Sequence, residues 1–405
     1  MSEMLKNLNR ESQNSENRVS VEDQLKVYEL CKTHLSGHWS DVSADQLVIK
    51  RVTGGFINKS YCCSLPQIAQ TGHDKVFIRL NVDCPDKFFD KTHELVANIF
   101  ASQTDISPKI LGIFENGFIA EYIDCHYFTA EDDLNPRCVA LLAKKMAKMH
   151  SLDVPIAKDS HQFLMKNYWD LFAAPIFESY KKGHIYEEIQ RHKLQTFMEM
   201  DLCDEMSWAM EVSVGLGGPV VFTHNDLMRR NILVRNTCHT NADDLNVFIV
   251  DYDWNCYMFR GADFADYFID WCQPELDFGG NDFPTDQQMG ADFADYFIDW
   301  CQPELDFGGN HFPTDQQMYA FIDAYISEMS ALSGDSYTKR VVNSRETLVM
   351  EAKIGIDENP EYLLKAEANN VSVEDRLKVY ELCKTHLGGH WSDVSADQLV
   401  IKPTT

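Results

Sequence analysis

Three oxygen-bearing side chains stand at fixed intervals in the middle of the sequence. Asp226 and Asn231 lie in the stretch FTHNDLMRRNILV (222–234), separated by four residues, and Asp251 ends the run NVFIVD twenty residues after Asn231. Carboxylate and amide oxygens can hold Mg²⁺, and a carboxylate can take the proton of a hydroxyl group. A plain surface turn is the alternative, because Asn-Asp pairs are common in turns. The spacing of all three residues therefore carries more information than the tripeptide HND.

This spacing is typical of phosphoryl transfer. In kinases an H-x-D-x-x-x-x-N loop is followed by a strand pair and then by a metal-binding Asp. On that pattern Asp226 accepts or orients the proton of the substrate hydroxyl, while Asn231 and Asp251 hold Mg²⁺ on the β- and γ-phosphates of ATP. A hairpin over 232–250 is expected to return Asp251 to the loop. His224 is expected to hold the loop rather than carry a proton.

The elements that must position these groups begin with a small sheet. Residues 1–18 are polar and are interpreted as a disordered tail. Ser20 to Asp23 resemble a capping box, and the helix after it shows a rough apolar stripe: Leu25, Tyr28, Leu30 and Leu35. Five runs have the pattern of strands: 47–52, 60–65, 75–80, 110–114 and 118–123. A helical pattern at 91–102 and the hairpin signal Asn116-Gly117 complete an antiparallel sheet with one helix.

Four parts of this predicted sheet could bind ATP. The turn Gly54-Gly55-Phe56-Ile57-Asn58 joins the first two strands, although its spacing is not that of a G-x-G-x-x-G loop. Arg79 on the strand KVFIRL would reach the phosphates where protein kinases use lysine. Glu94 on the next helix would orient it, with an exposed ion pair as the alternative. Glu121-Tyr122-Ile123 end the last strand, where a hinge would offer backbone groups to adenine.

The second half of the sequence is mainly helical. From Pro136 an amphipathic helix begins, residues 161–214 read as mostly helical, and short strands are expected only at 220–223, 232–235 and 247–250. The predicted fold class is α+β, a protein-kinase-like two-lobe fold with a small antiparallel β-sheet lobe and a larger mainly helical lobe. The predicted domains are a tail (1–18), a β-rich ATP-binding lobe (19–125), a helical catalytic and substrate lobe (126–370) and a surplus segment (371–405).

Two segments occur twice, almost unchanged. Residues 261–289 recur at once as 290–318 with one change, and residues 19–50 recur as 371–402 with two changes. Solenoid repeats are short units that recur several times and diverge, so these pairs indicate recent duplication or an assembly fault rather than an architecture. Only the first copy of 19–50 runs into the glycine turn, so 371–402 is expected to be surplus and poorly ordered. The sequence leaves open which copy of the tandem pair docks.

Composition narrows the class of partner. The formal net charge of -27 argues against a nucleic-acid partner, because phosphate binding requires a basic face. It suits a small cationic ligand, or no charged partner at all if the acidity only keeps the protein soluble. No apolar run approaches the roughly 20 residues of a membrane helix, and the N-terminus lacks the apolar segment of a secretory signal. None of the twelve cysteines falls in a C-x-x-C pair. We therefore expect a cytoplasmic protein with reduced thiols and no membrane insertion.

Five segments resemble the choline/ethanolamine kinase family. They are GGFINKS (54–60), FIRL (77–80), GFIAEYI (117–123), GGPVVFTHNDLMRRNILV (217–234) and VDYDWNCYMFRGADFADYF (250–268). The family has a similar G-G-x-x-N loop, an Arg on the third strand, an H-N-D-x-x-x-x-N loop and a D-[FY]-E-Y…N-Y-x-x-x-D segment. The resemblance covers residues 20–330, and the long last segment makes it specific.

The resemblance implies an ATP-dependent phosphotransferase that phosphorylates the hydroxyl of choline and/or ethanolamine, the first step of CDP-choline and CDP-ethanolamine phospholipid synthesis. It also implies ATP and Mg²⁺ as cofactors, a homodimer, and Asp263 as the acid that fixes the catalytic loop. Two alternatives stay open. One is a catalytically weak relative that binds nucleotide or a partner subunit, and the other is an aminoglycoside-type small-molecule kinase.

The sequence departs from the family at two places. Asp253 stands where the family has Glu, and residues 330–370 contain no Trp. Choline kinases hold the quaternary ammonium in an aromatic cage partly supplied by a tryptophan-bearing helix near the C-terminus. Several aromatic residues could line an amine pocket or simply belong to the core: Tyr257, Phe259, Tyr267 and Trp271, with Tyr296 and Trp300 in the second copy.

Overall fold

The chain forms two compact units, unit 1 and unit 2. The computed structural model describes residues 19–52, 58–65, 74–81, 91–162, 182, 186–187, 190–191, 217–236, 244–269, 313–334 and 336–357. Unit 1 comprises Met1–Lys87 and Leu95–Cys125, and unit 2 comprises Phe88–Glu94 and His126–Thr405. The four predicted domains stay a prediction, because residues 1–18 and 358–405 lie outside the described part.

Unit 1 is built on one antiparallel sheet. Its strands are β1 (Val48–Val52), β2 (Lys59–Ser64), β3 (Lys75–Leu80), β4 (Ile110–Phe114) and β5 (Gly117–Glu121), in the order β1-β2-β3-β5-β4. Gly117 has a φ of 148°, and a Cβ there would lie 1.9 Å from the carbonyl oxygen of Arg79. Only glycine allows that approach, so the turn predicted at Asn116-Gly117 is confirmed together with its packing reason.

Helix α1 (Val21–His34) covers the sheet and is followed by α2 (His38–Asp41). Its N-cap is Ser20, whose hydroxyl accepts from the Asp23 N–H at 3.0 Å, as the capping pattern predicted. The buried face consists of Val27 and Cys31, whereas Leu25 is 53% exposed. The prediction was therefore wrong for Leu25, whereas Leu30 and Leu35 are partly buried and pack against the core. Val27 and Cys31 lie one turn apart on the face of the helix that packs on the sheet, and Leu25 lies in solvent.

Unit 2 is mainly helical, with two small sheets. Its helices are α4 (Ala130–Asp133), α5 (Pro136–His150), α6 (Gly261–Ile269), α7 (Asp315–Ser333) and α8 (Arg345–Asp357). Its strands are β6 (Cys125–Tyr127), β7 (Val220–Thr223), β8 (Ile232–Arg235), β9 (Val247–Ile249) and β10 (Cys256–Phe259), with β7 paired to β10 and the order β6-β8-β9. Helix α3 (Lys91–Gln103) begins in unit 2 and ends in unit 1.

The predicted fold class is confirmed: an antiparallel sheet unit is joined to a larger, mainly helical unit. The predicted helix at 91–102 and the strands at 75–80, 110–114 and 220–223 lie where they were expected. The sequence patterns did not predict β6, β10 and α8. No helix in the described ranges is long and apolar enough to cross a membrane.

The tandem duplication runs from the start of α6 into the first turn of α7. The start of the first copy forms α6, and the end of the second copy holds the N-cap of α7. That cap is a reciprocal pair, because the Gln317 Oε1 accepts from the Thr314 N–H at 2.8 Å and the Thr314 hydroxyl accepts from the Gln317 N–H at 3.4 Å. Residues 270–312 and 371–402 lie outside the described residues, so the predicted surplus character of 371–402 stays a prediction.

Candidate active site

A hairpin and the loop before it bring the three predicted groups together. The chain leaves β7, forms a 3₁₀ turn at Arg229–Asn231 and enters β8, which pairs with β9 through Ile232 and Ile249. The Val250 N–H donates to the Asn231 carbonyl at 2.9 Å. Asp251 therefore follows a residue that is bonded directly to Asn231. The hairpin predicted over 232–250 is present, and it performs the return that the spacing required.

Asp226 is a partly buried carboxyl with few donors. Its side chain is 22% exposed, and the Asn231 Nδ2 donates to both its carbonyl oxygen and its Oδ2 at 2.7 Å. The pKa of Asp226 is raised from 3.8 to about 6, and burial is the largest cause. The charge of Asp251 also raises this pKa, while Arg230, His224 and Asn231 lower it. A carboxyl with a pKa near neutrality is suited to taking up and returning a proton.

The donors beside Asp226 fit a hard divalent cation. The Asn231 Nδ2 is bonded to Asp226, so the Oδ1 is the atom of that amide able to bind a metal. The negative charges of Asp226 and Asp251 oppose each other strongly enough to shift a pKa, and a cation would offset this repulsion. Over the described ranges no group of three His, Cys, Asp or Glu could hold a metal alone. These oxygen ligands fit Mg²⁺, which takes a few ligands from the protein and the others from substrate phosphates and water.

Two residues of the site have backbone conformations that are costly without glycine. Asn225 has a φ of 59° and Asp251 a φ of 71°. Left-handed conformations of non-glycine residues persist only where the surroundings enforce them, and they are common at functional sites. At Asn225 the enforcement is visible: the Asn225 Nδ2 donates to the Trp254 carbonyl at 3.0 Å and to the Cys256 Sγ at 3.1 Å.

Asp263 on α6 anchors the loop from below. Its carboxylate accepts from the backbone N–H of His224 at 3.0 Å and from that of Asn225 at 2.8 Å. The side chain has no exposed surface. The His224 Nε2 donates to the Val250 carbonyl at 2.9 Å, which ties the loop to the end of β9. These contacts support a structural use of both residues, in agreement with what was expected of them.

A second set of contacts, between Arg229 and Asp133, also holds the loop and was not predicted from the sequence. Arg229 donates from Nε and Nη2 to the Oδ2 of Asp133, at 3.0 and 2.6 Å, and the Tyr267 hydroxyl donates to the Oδ1 of Asp133 at 2.9 Å. All three side chains are buried. The one local signal was the pair Arg229-Arg230, because a buried arginine requires an acid. The acid itself lies 96 positions earlier, where no pattern announces it.

Two of the predicted nucleotide-binding residues meet in unit 1. Arg79 lies in the central strand β3, opposite Ser60 on β2 and Phe118 on β5, and its side chain is buried. The Asn58 amide, with its oxygen turned to the guanidinium, accepts from the Arg79 Nη2 at 2.5 Å. The end of the predicted loop is thus joined to the predicted phosphate-binding arginine. Gly54, Gly55, Phe56 and Ile57 lie outside the described residues.

The remaining nucleotide-binding candidates are only placed by the structure. Glu94 is buried in the first turn of α3 and belongs to unit 2, whereas Arg79 belongs to unit 1. The Glu121 N–H donates to the Lys109 carbonyl at 2.8 Å, and its Oε1 accepts from the Lys109 N–H at 2.9 Å. The Glu121 N–H is therefore already bonded within unit 1. Tyr122 and Ile123 follow β5 in irregular backbone, and the hinge role of all three stays a prediction.

The aromatic residues near β10 serve the core. Tyr257 is buried, and its hydroxyl donates to the Val154 carbonyl at 3.0 Å. Tyr267 has no exposed surface and bonds Asp133. Of the two alternatives, an amine pocket or the core, the burial and hydrogen bonds of Tyr257 and Tyr267 favour the core. Phe259 is only partly buried, and Trp271, Tyr296 and Trp300 lie outside the described residues.

Several known proteins are similar to this chain in sequence or in fold. A choline/ethanolamine kinase of Homo sapiens is 28% identical over 287 residues, which are 67% of this chain and 68% of the human one. A probable ethanolamine kinase of Arabidopsis thaliana is 25% identical over 257 residues, 62% of this chain and 64% of that one. The crystal structure of a choline kinase from Cryptosporidium parvum matches with a TM-score of 0.55 at 18% identity, over 90% of this chain and 96% of that chain, and shows the fold. A profile described as choline/ethanolamine kinase matches residues 49–289, more than half of the chain, and the chain therefore belongs to the choline/ethanolamine kinase family.

Proposed function

We propose that this protein transfers the γ-phosphoryl group of Mg²⁺-bound ATP to the hydroxyl of choline or ethanolamine. The observation that carries the proposal is the β8–β9 hairpin, which brings Asn231 and Asp251 to the carboxyl of Asp226. The pKa of that carboxyl is raised to about 6. Family membership supports the substrate class. The net charge of -27 suits a substrate that carries a positive charge.

Each group has one task in the proposed reaction. Asp226 accepts the hydroxyl proton as the substrate oxygen forms its bond to the γ-phosphorus and the bond to the β–γ bridging oxygen breaks. Asn231 and Asp251 would hold Mg²⁺, which neutralises charge on the β- and γ-phosphates when bound. Asp263 keeps the loop backbone in place during the transfer. Arg79 and Asn58 are proposed to contact the phosphates of ATP.

A second candidate function is a catalytically weak relative that binds nucleotide without turnover. The observation that favours it is the second copy of 261–289, inserted between two helices of the catalytic unit. A third, an aminoglycoside-type kinase, shares the catalytic loop and explains residues 250–268 less well. A homodimer belongs to the proposal through the family resemblance alone, and a cytoplasmic location through the sequence pattern of the N-terminus and the cysteines.

One experiment separates these functions. Release of ADP is measured with Mg²⁺-ATP and, in parallel, choline, ethanolamine, an aminoglycoside or no acceptor. Turnover with choline or ethanolamine supports the proposal. Nucleotide binding without turnover on any acceptor supports the weak relative, and turnover on the aminoglycoside alone supports the third function.

The base assignment has its own test. Asp226→Ala is expected to lower kcat on the order of 10²- to 10⁴-fold while ATP binding, followed by calorimetry, stays largely intact. The matched control is Asp323→Ala, because Asp323 is 47% exposed on α7 and pairs only with the exposed side chain of Arg345 among the contacts described. Normal turnover in Asp226→Ala would show that another group takes the proton.

A further inference from the structure

A buried chain of hydrogen bonds runs through unit 2 and ends at the catalytic loop. The His150 Nε2 lies 3.0 Å from the Oδ2 of Asp263, and the His150 Nδ1 lies 2.8 Å from the hydroxyl of Tyr325. Burial raises the pKa of the Tyr325 hydroxyl, and the Tyr337 side chain lies close enough to raise it further. The Tyr337 hydroxyl accepts from the Arg260 Nη1 at 2.9 Å. The five side chains come from α5, α6, α7, the segment after α7 and the residue after β10.

The donors along this chain can all point the same way. Arg260 can only donate, so the Tyr337 hydroxyl accepts from it. The Asp263 carboxylate can only accept, so the Nε2–H of His150 donates to it, and in the neutral imidazole the Nδ1 accepts from the Tyr325 hydroxyl. A neutral imidazole with its proton on Nε2 satisfies every contact. Hydrogen bonds aligned in this way polarise and strengthen one another in a buried site.

The buried groups on both sides of this hydrogen-bonded series are held in place. At one end Arg260 donates from Nε and Nη2 to the two carboxylate oxygens of Glu351 on α8, at 2.6 and 2.9 Å, and has almost no exposed surface. At the other end Asp263 accepts from the backbone N–H groups of His224 and Asn225, which precede Asp226. The side chains of His150, Asp263 and Tyr325 have no exposed surface, so water does not replace a lost partner freely.

We propose that Tyr325 is a positioning residue for the catalytic loop, because its hydroxyl holds the His150 ring in the orientation in which the Nε2–H donates to Asp263. The inference rests on the proposed function for its kinetic consequence only. Without the hydroxyl, the buried Nδ1 of His150 loses its hydrogen-bond partner and the ring loses the contact that fixes its orientation. A shift of the ring would weaken the bond from Nε2 to Asp263 and loosen the two backbone bonds that hold His224 and Asn225.

Tyr325→Phe tests this directly, because it removes one oxygen and keeps the ring packed against Phe264, whose centroid lies 5.0 Å away. The matched control is Tyr61→Phe. Tyr61 is equally buried, its hydroxyl bonds Asp23, and both residues lie in unit 1. Three quantities are measured in wild type and in both variants: the ¹⁵N shifts of His150, the amide exchange rates of His224 and Asn225, and kcat with the KM for ATP.

In wild type the ¹⁵N shifts are expected to show the Nε2–H tautomer of His150. In Tyr325→Phe the ¹⁵N shift of the His150 Nδ1 changes because its donor is lost, the two loop amides exchange about tenfold faster, and kcat falls about three- to tenfold with an unchanged KM for ATP. Tyr61→Phe changes none of these. A wild-type imidazolium, or loop amides in Tyr325→Phe that exchange as in the control, would overturn the inference. If wild type shows no turnover, the proposed function fails, while the shifts and exchange rates still decide the role of Tyr325.

Discussion

Asp226 and Asp263 are the same residue type in opposite surroundings. Asp263 has no exposed side-chain surface and accepts from the N–H groups of His224 and Asn225 and from the Nε2 of His150. Asp226 keeps 22% of its side chain exposed and accepts from the Asn231 amide, with the nearest Arg230 nitrogen 3.9 Å away. One carboxylate is surrounded by donors and the other faces only a few.

The difference separates holding from reacting. A carboxylate saturated with donors fixes the backbone that donates to it, and its charge is stabilised in place. A partly desolvated carboxylate with few donors binds a proton more readily, which is why burial raises the pKa of Asp226 to about 6. The loop thus needs both: a rigid support two residues before a reactive group. The same substitution, Asp to Asn, should therefore have opposite effects on stability at the two positions.

The largest effect is expected for Asp263→Asn. The amide nitrogen of Asn would face donors that the carboxylate now accepts, so we expect a loss on the order of 4 kcal/mol in the free energy of unfolding. Urea unfolding of the protein without ligands measures it. Turnover should fall as well, because the loop that carries Asp226 loses its support.

The chain supplies its own control for this substitution. Asp292 occupies the same place in the second copy of the tandem segment as Asp263 does in the first. Asp292→Asn is expected to leave stability and turnover unchanged, because the first copy forms α6. A loss in Asp292→Asn together with a neutral Asp263→Asn would show that the second copy is the one that docks.

The sequence predicted the parts of this comparison that depend on nearby residues. The β8–β9 hairpin, the Asn116-Gly117 turn and the Ser20 cap each follow from patterns a few residues long, and the structure has them. The spacing of Asp226, Asn231 and Asp251 could be interpreted because a hairpin is a local structure. The local signal also had limits, since the leucines of α1 indicated a face through Leu25 that is exposed.

The supporting contacts could not be predicted in this way. The bond between His150 and Asp263 spans 113 positions, that between His150 and Tyr325 spans 175, and the Arg229–Asp133 pair spans 96. No periodicity links such partners, because they meet only after the helices pack. Resemblance to a family suggested Asp263, and nothing in the sequence suggested Asp133, His150 or Tyr325.

A smaller effect of opposite sign is expected for Asp226→Asn. Asp226 binds its proton more tightly in the folded protein, with a pKa of about 6, than at its ordinary value of 3.8. The folded state therefore carries more protons between these pH values, and this group's contribution to stability is present at low pH and lost as pH rises through about 6. Asn stays neutral at every pH. The variant should match wild type near pH 4 and gain at most about 3 kcal/mol above pH 7.

Urea unfolding at pH 4.5 and pH 7.5, without Mg²⁺ or nucleotide, measures this gain. Asp323→Asn is the control, because that carboxylate is exposed and its substitution should not produce a gain that grows with pH. A stability difference between Asp226→Asn and wild type that is the same at both pH values would show that burial does not destabilise the charged carboxylate.

The smallest effect is expected for Arg230→Gln. The Arg230 guanidinium lies 3.9 Å from the Asp226 Oδ1, and its charge lowers the pKa that burial raises. Without it the pKa of Asp226 rises further, so the acid limb of kcat/KM against pH should move upward by about half a unit. Arg235→Gln is the control, because the Arg235 side chain packs over the ring of Phe248 instead. An acid limb that stays in place would mean that Arg230 does not act on Asp226. Asp226 would then differ from Asp263 through burial and the Asn231 amide.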